Sequence, residues 1–300
     1  MKAHARQAVS TAQLAVIALL ASGLLWGLMW MPLKHFARHG FQGAAMTLCT
    51  YGVVGVLALP VVWSQRASWR PQWHLFALVG ILGAAANICF VTALATGEVV
   101  RAMLLFYLAP VWSVLGGGLF LRERLSAVRA VAVVLAIAGA FLVLGGPTAL
   151  REPLAPPDAL ALASGLLYSA QNIASRAADR VPVVSKALAV FAGCTLVSGT
   201  VLVAAGRGLP PVAGSLGLQL AAFGLVWIMA AMLTTMYGVT HLEAGRAGVL
   251  LVFELVAAVV SAMLIAGERL SGIGWIGAAL ICGAALLETR TASSPERSPP

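Results

Sequence analysis

Charge is scarce in this chain: Asp, Glu, Lys and Arg together make up 10% of its 300 residues, against about a quarter in a water-soluble domain. Water cannot be the main solvent of such a protein. The four cysteines, Cys49, Cys89, Cys194 and Cys282, show no CxxC and no metal-ligand spacing, so neither a disulfide nor a metal site is expected. No GxxxxGK[ST] loop is present, and no HExxH or GxSxG. The five histidines fall in or near loops. These absences argue against an ATPase and against a membrane-embedded enzyme, and no cofactor is expected. A formal charge of +9 would suit nucleic acid, but the basic residues stand singly and build no basic face, so no nucleic-acid partner is expected.

What is present is length without charge. A helix needs roughly 20 apolar residues to cross a bilayer. Uncharged runs of 27 residues separate Arg6 from Lys34, Arg38 from Arg66 and Arg70 from Glu98, and runs of 20 and 21 separate Arg101 from Arg122 and Arg129 from Arg151. The later runs, from Asp158, Lys186, Arg207, Arg246 and Arg269 onward, bring the expectation to ten spans: 13–33, 42–63, 73–95, 102–121, 127–145, 159–176, 183–205, 217–239, 247–266 and 272–288. The first span is too long for a signal-peptide core and lacks a cleavage site. With the N-terminus inside, 13 basic residues fall on the cytoplasmic side and 6 outside, which predicts both termini cytoplasmic.

The chain also repeats itself. LASGLLW at 20–26 returns as LASGLLY at 162–168, and ERLS at 123–126 returns at 268–271. Two five-helix copies, 1–145 and 159–290, are therefore expected around a Pro-rich linker, 146–158, with a cytoplasmic tail at 291–300. Asp158 is expected to cap the sixth helix. Five is odd, so the second copy enters the membrane inverted, an arrangement found in many transporters. The fold class expected is all-α integral membrane, ten transmembrane helices as two inverted repeats around a central cavity.

Pro110 in the fourth helix, Glu123-Arg124-Leu125-Ser126, its second copy Glu268-Arg269-Leu270-Ser271, and small-residue fifth and tenth helices give the chain its resemblance to the EamA-type branch of the drug/metabolite transporter superfamily. Within that branch it looks most like exporters of aromatic amino acids. The resemblance implies alternating-access export across a bacterial inner membrane, through a cavity lined by helices 1, 3, 4, 6, 8 and 9. It further implies a small-molecule substrate and a lipid bilayer as partners. Glycine runs such as Gly116-Gly117-Gly118 leave room for a homodimer contact without requiring one.

Glu254 is the one acid in the middle of an expected span, where a carboxylate costs about 2.5–3.5 kcal/mol. It either meets a substrate ammonium or proton, or fixes helix packing. Ser22, Trp26 and Trp30 recur every four residues and share a face; Tyr168, Gln171, Asn172 and Ser175 form a polar face on the sixth helix. Both faces are read as lining the cavity, with Asn87, Phe90, Met103, Tyr107, Trp227 and Tyr237 completing its wall; packing is the alternative for each. Two i,i+3 pairs, Glu98 with Arg101 and Glu243 with Arg246, precede cavity helices. They read either as solvated helix-end charges or as matched gates. Ser126 and Ser271 suit helix caps, and Trp63, Trp69, Trp73 and Trp275 suit interfacial anchors.

Overall fold

The computed structural model describes the backbone of residues 2–120, 127–147, 154–212, 214–242 and 244–292. Side chains are described within these ranges from Gln13 to Leu287, apart from positions 129, 244–246, 248 and 249. Glu123, Arg124, Ser126, Glu243 and the Arg246 side chain thus lie outside the described residues. Every regular element described is helical.

In the first copy, α1 (Lys2–Gly27) and α2 (Trp30–Arg38) make span 1, and α3 (Gly43–Ser64) makes span 2, followed by the single turn α4 (Arg66–Trp69). Span 3 is α5 (Trp73–Thr96), span 4 is α6 (Val99–Phe106) with α7 (Ala109–Phe120), and span 5 is α8 (Ala127–Val143). The second copy holds α9 (Pro156–Ala177) and α10 (Val183–Ala204) as spans 6 and 7. Span 8 is α11 (Gly214–Ala222), a π-helical segment at Phe223–Ile228, and α12 (Met229–His241). Span 9 is α13 (Ala244–Ser261) ending in a π turn at Ala262–Ala266, and span 10 is α14 (Gly272–Ala292).

Among the described residues, six stretches are long and apolar enough to cross a membrane: spans 1 to 4, 7 and 8. Spans 5, 9 and 10 carry shorter apolar helices. Span 6 falls outside both groups because its middle is spent on Tyr168, Gln171 and Asn172. Large apolar side chains such as Leu57, Leu119, Phe120, Val203 and Leu264 stand exposed on the exterior, a surface that lipid can cover and water cannot.

The packing obeys the duplication. Span 3 packs on span 6 as span 8 packs on span 1, and span 1 meets span 9 as span 6 meets span 4. Spans 2 and 7, 4 and 9, and 5 and 10 each pack on their own counterpart, which places those pairs on a pseudo-twofold axis. The repeated LASGLL string supplies both halves of this pattern. Ser22 bonds Thr235 on span 8, while Ser164 Oγ donates to the Ala86 carbonyl on span 3 at 2.9 Å. A Cβ at Gly23 would lie 3.2 Å from Glu254 N, and one at Gly165 would lie 2.9 Å from Phe106 O. Serine and glycine thus let each copy's first helix close on the other copy's neighbour at backbone distance.

The copies differ where proline enters. Pro32 and Pro110 have no N–H for the carbonyls of Leu28 and Phe106, and each span breaks into a turn there. Their repeat counterparts are Ala174 and Leu255, and both of those helices run on. In span 1, Met29 N–H shifts to the Trp26 carbonyl at 3.2 Å. The Leu25 carbonyl is taken up by the Trp227 indole N–H at 2.9 Å. Asp158 does not cap α9: Ala155 holds that position, and Asp158 is drawn into an ion pair with Arg101. Ser271 does cap α14, accepting Gly274 N–H at 3.0 Å.

Candidate functional site

The break in span 4 puts aromatic side chains in the middle of the bundle. Tyr107 lies in the turn between α6 and α7, and its hydroxyl donates to the Leu251 carbonyl at 3.3 Å, one turn before Glu254 on α13. Tyr168 on α9 has Asn172 one turn on, on the same face of the helix. Phe106 sits between them, with ring centroids 5.9 Å from Tyr107 and 5.6 Å from Tyr168, and Phe90 of α5 packs on it at 4.5 Å. Glu254 is within electrostatic reach of Tyr51, Tyr107 and Tyr168. These are three of the chain's four tyrosines.

Tyr168 is 43% exposed and packs on Phe106 of span 4. Glu254 is half-buried. The cluster offers one carboxyl, phenol and amide groups, and several aromatic faces. Four sequence candidates thus come together: Tyr107, Tyr168, Asn172 and Glu254. Gln171, half-buried, lies beside them on α9. Phe90, named only for the wall, joins them. Tyr51 and Phe106 were not candidates; a single aromatic residue in an apolar span gives no periodic signal.

The other candidates find different partners. Trp26 donates to Thr235 Oγ1 at 3.1 Å, where Ser22 also bonds, so these two share a face as expected. The break at Leu28 and Met29 removes Trp30 from that face: it is buried with its indole N–H on Ser261 Oγ at 3.0 Å. Asn87 donates to its own helix at Gly83, 3.0 Å away, and Trp227 is bound to the Leu25 backbone. Tyr237 stacks on His241 at 4.3 Å near the end of span 8. Trp69 stacks on Phe76 at 4.7 Å, while Trp63, Trp73 and Trp275 are exposed. Among the described residues no three His, Cys, Asp or Glu side chains meet as a metal site would require.

The local charge pair of span 4 does not form. Glu98 is exposed, and Arg101 pairs instead with Asp158 of α9. Beside this pair, Glu268 accepts Val99 N–H at 2.8 Å on Oε1 and Val100 N–H at 2.9 Å on Oε2. Lys34 lies 3.5 Å from the same carboxylate and donates to the Gly97 carbonyl at 2.9 Å. The ends of spans 1, 4, 6 and 9 are joined here. At the opposite end, Gln72 donates to Asp179 at 2.8 Å and accepts Arg180 N–H at 3.1 Å, tying the loop before span 3 to the loop after span 6. The Gln72 amide holds the exposed Asp179 carboxyl below its ordinary range.

Residues 13–145 and 156–289 each match the EamA-like transporter family. Over 97% of this chain and 95% of its own length, a riboflavin transporter of Rhizobium johnstonii is 25% identical. An uncharacterized transporter of Archaeoglobus fulgidus is 27% identical over 41% of this chain and 45% of its own. An uncharacterized transporter of Pseudomonas aeruginosa is 28% identical over 40% of this chain and 42% of its own. One crystal structure, 23% identical, superposes with a TM-score of 0.57 over 93% of this chain and 97% of the other, a likeness of fold. None of the three named relatives is named as an amino acid exporter, so that expected likeness is not shown. Family models covering both halves, on an all-helical duplicated fold, decide the matter: the chain belongs to the EamA-like transporter family and is a multi-pass membrane transporter.

Proposed function

We propose that the protein is a secondary transporter for amphipathic small molecules with a bulky or aromatic body, amino acids of that kind first among them, exported by alternating access. The observation that carries this reading is the cluster around Glu254: aromatic faces from spans 3, 4 and 6 gathered near one carboxyl, one amide and phenolic hydroxyls. An apolar pocket with a few convergent polar groups suits such a solute. Rings stack on Phe106 and Tyr168, and the ammonium end meets Glu254. All these groups come from one chain, so a monomer carries the whole site. The membrane is a bacterial inner membrane with both termini cytoplasmic.

A second reading has its own support. The full-length relative is named for riboflavin, whose flat ring system also calls for stacking but brings no ammonium. Counterflow in proteoliposomes with phenylalanine, tryptophan, alanine, riboflavin and a quaternary amine separates the two. Exchange of the aromatic amino acids is the expected result; exchange of riboflavin alone would replace the first reading by the second, and exchange of none would overturn both.

A further inference from the structure

We infer that Glu268, with Lys34, Arg101 and Asp158, is the gate that closes one end of the transport pathway. The inference rests on the transporter reading but not on any choice of solute. The side chains belong to spans 9, 1, 4 and 6, and span 9 packs on spans 1 and 4 as span 4 packs on span 6. Glu268 and Asp158 come from the second copy, Lys34 and Arg101 from the first. A change of access in an inverted repeat moves one copy against the other, so bonds between copies at a pathway end are the ones that must break and reform.

Glu268 is the centre of this set because it does three things at once. Its two oxygens take the N–H groups of Val99 and Val100, which no intrahelical carbonyl serves at the start of α6. Its charge complements the helix N-terminus, and Lys34 neutralises it while also bonding Gly97. Span 9 thereby grips the half-helix that carries Phe106 to the Glu254 cluster. Beneath the polar layer, Leu33, Val99, Val100, Met103 and Ala161 are buried and complete the seal. The charged ends lie beside loops, where water replaces their bonds when the end opens. Glu98 stands outside the network and is its natural control.

The test uses the full chain in lipid nanodiscs, with the four native cysteines replaced and nitroxide labels at position 39, after span 1 of the first copy, and position 155, the N-cap of the second copy's first helix. Glu268→Gln and, separately, Lys34→Met should raise the long-distance population between the labels several-fold over the parent protein. Lys34→Met leaves the Val99 and Val100 bonds intact and so reports even where Glu268→Gln fails to fold. Glu98→Gln should leave the distances unchanged. Parent-like distances in both network variants, or the same shift in Glu98→Gln, would overturn the gate. Distance is read without solute, so absent counterflow with the expected shifts counts against the proposed function and leaves the gate standing.

Discussion

Glu254 is the residue on which the site's chemistry turns, because a mid-membrane carboxyl is retained only against a cost. If it carries a proton through the cycle, Glu254→Gln should flatten the pH dependence of uphill transport while solute counterflow persists; an unchanged pH profile would leave a solute-contact or packing role. Tyr168 separates size classes. An aromatic contact contributes about 0.5–1.5 kcal/mol, so Tyr168→Ala should weaken counterflow of tryptophan about two- to tenfold more than that of alanine. Equal loss for both solutes would place Tyr168 in the scaffold. At this scale the sequence was readable where a polar residue interrupts an apolar span, which is why Tyr107, Tyr168, Asn172 and Glu254 were found together. It was unreadable where identity alone is uninformative, as for Tyr51 and Phe106. The partner of Arg101 was out of reach for a geometric reason: i,i+3 spacing reveals neighbours on one helix, whereas that partner is 57 positions away.

Among elements, the two broken helices make opposite demands on substitution. Pro110→Ala restores the N–H that span 4 lacks, so thermal unfolding should hold or rise while transport falls, since a continuous helix re-aims Phe106 and Tyr107. A large drop in the melting temperature with normal transport would contradict this. Gly27 behaves differently. A Cβ there would lie 2.8 Å from both the Glu254 carbonyl and Ala257 Cβ, whereas one at Gly199 meets nothing within 4 Å. Overpacking costs about 1–3 kcal/mol, so Gly27→Ala should lower thermal stability clearly and Gly199→Ala should not. The span limits themselves were legible from charge spacing because each loop carries a charge. The breaks were not read, although Pro110 was in view, because neither proline leaves a gap in the apolar run.

For the whole molecule, orientation is the open quantity that a simple assay fixes. Reporter fusions after residue 150 and after residue 300 should land on opposite sides of the membrane, with the C-terminal one cytoplasmic. Both on one side would be incompatible with five spans per copy. The duplication also bears on how the protein divides its time. Were the two copies identical, exchanging their conformations would give a state of equal free energy, and each face of the membrane would see the site half the time. Any resting preference must come from positions where the copies disagree: Pro32 against Ala174, Pro110 against Leu255, Ala109 against Glu254. A difference of about 1.4 kcal/mol summed over such positions is a tenfold bias, so exchanging those residues between the copies should reverse which side the idle protein faces.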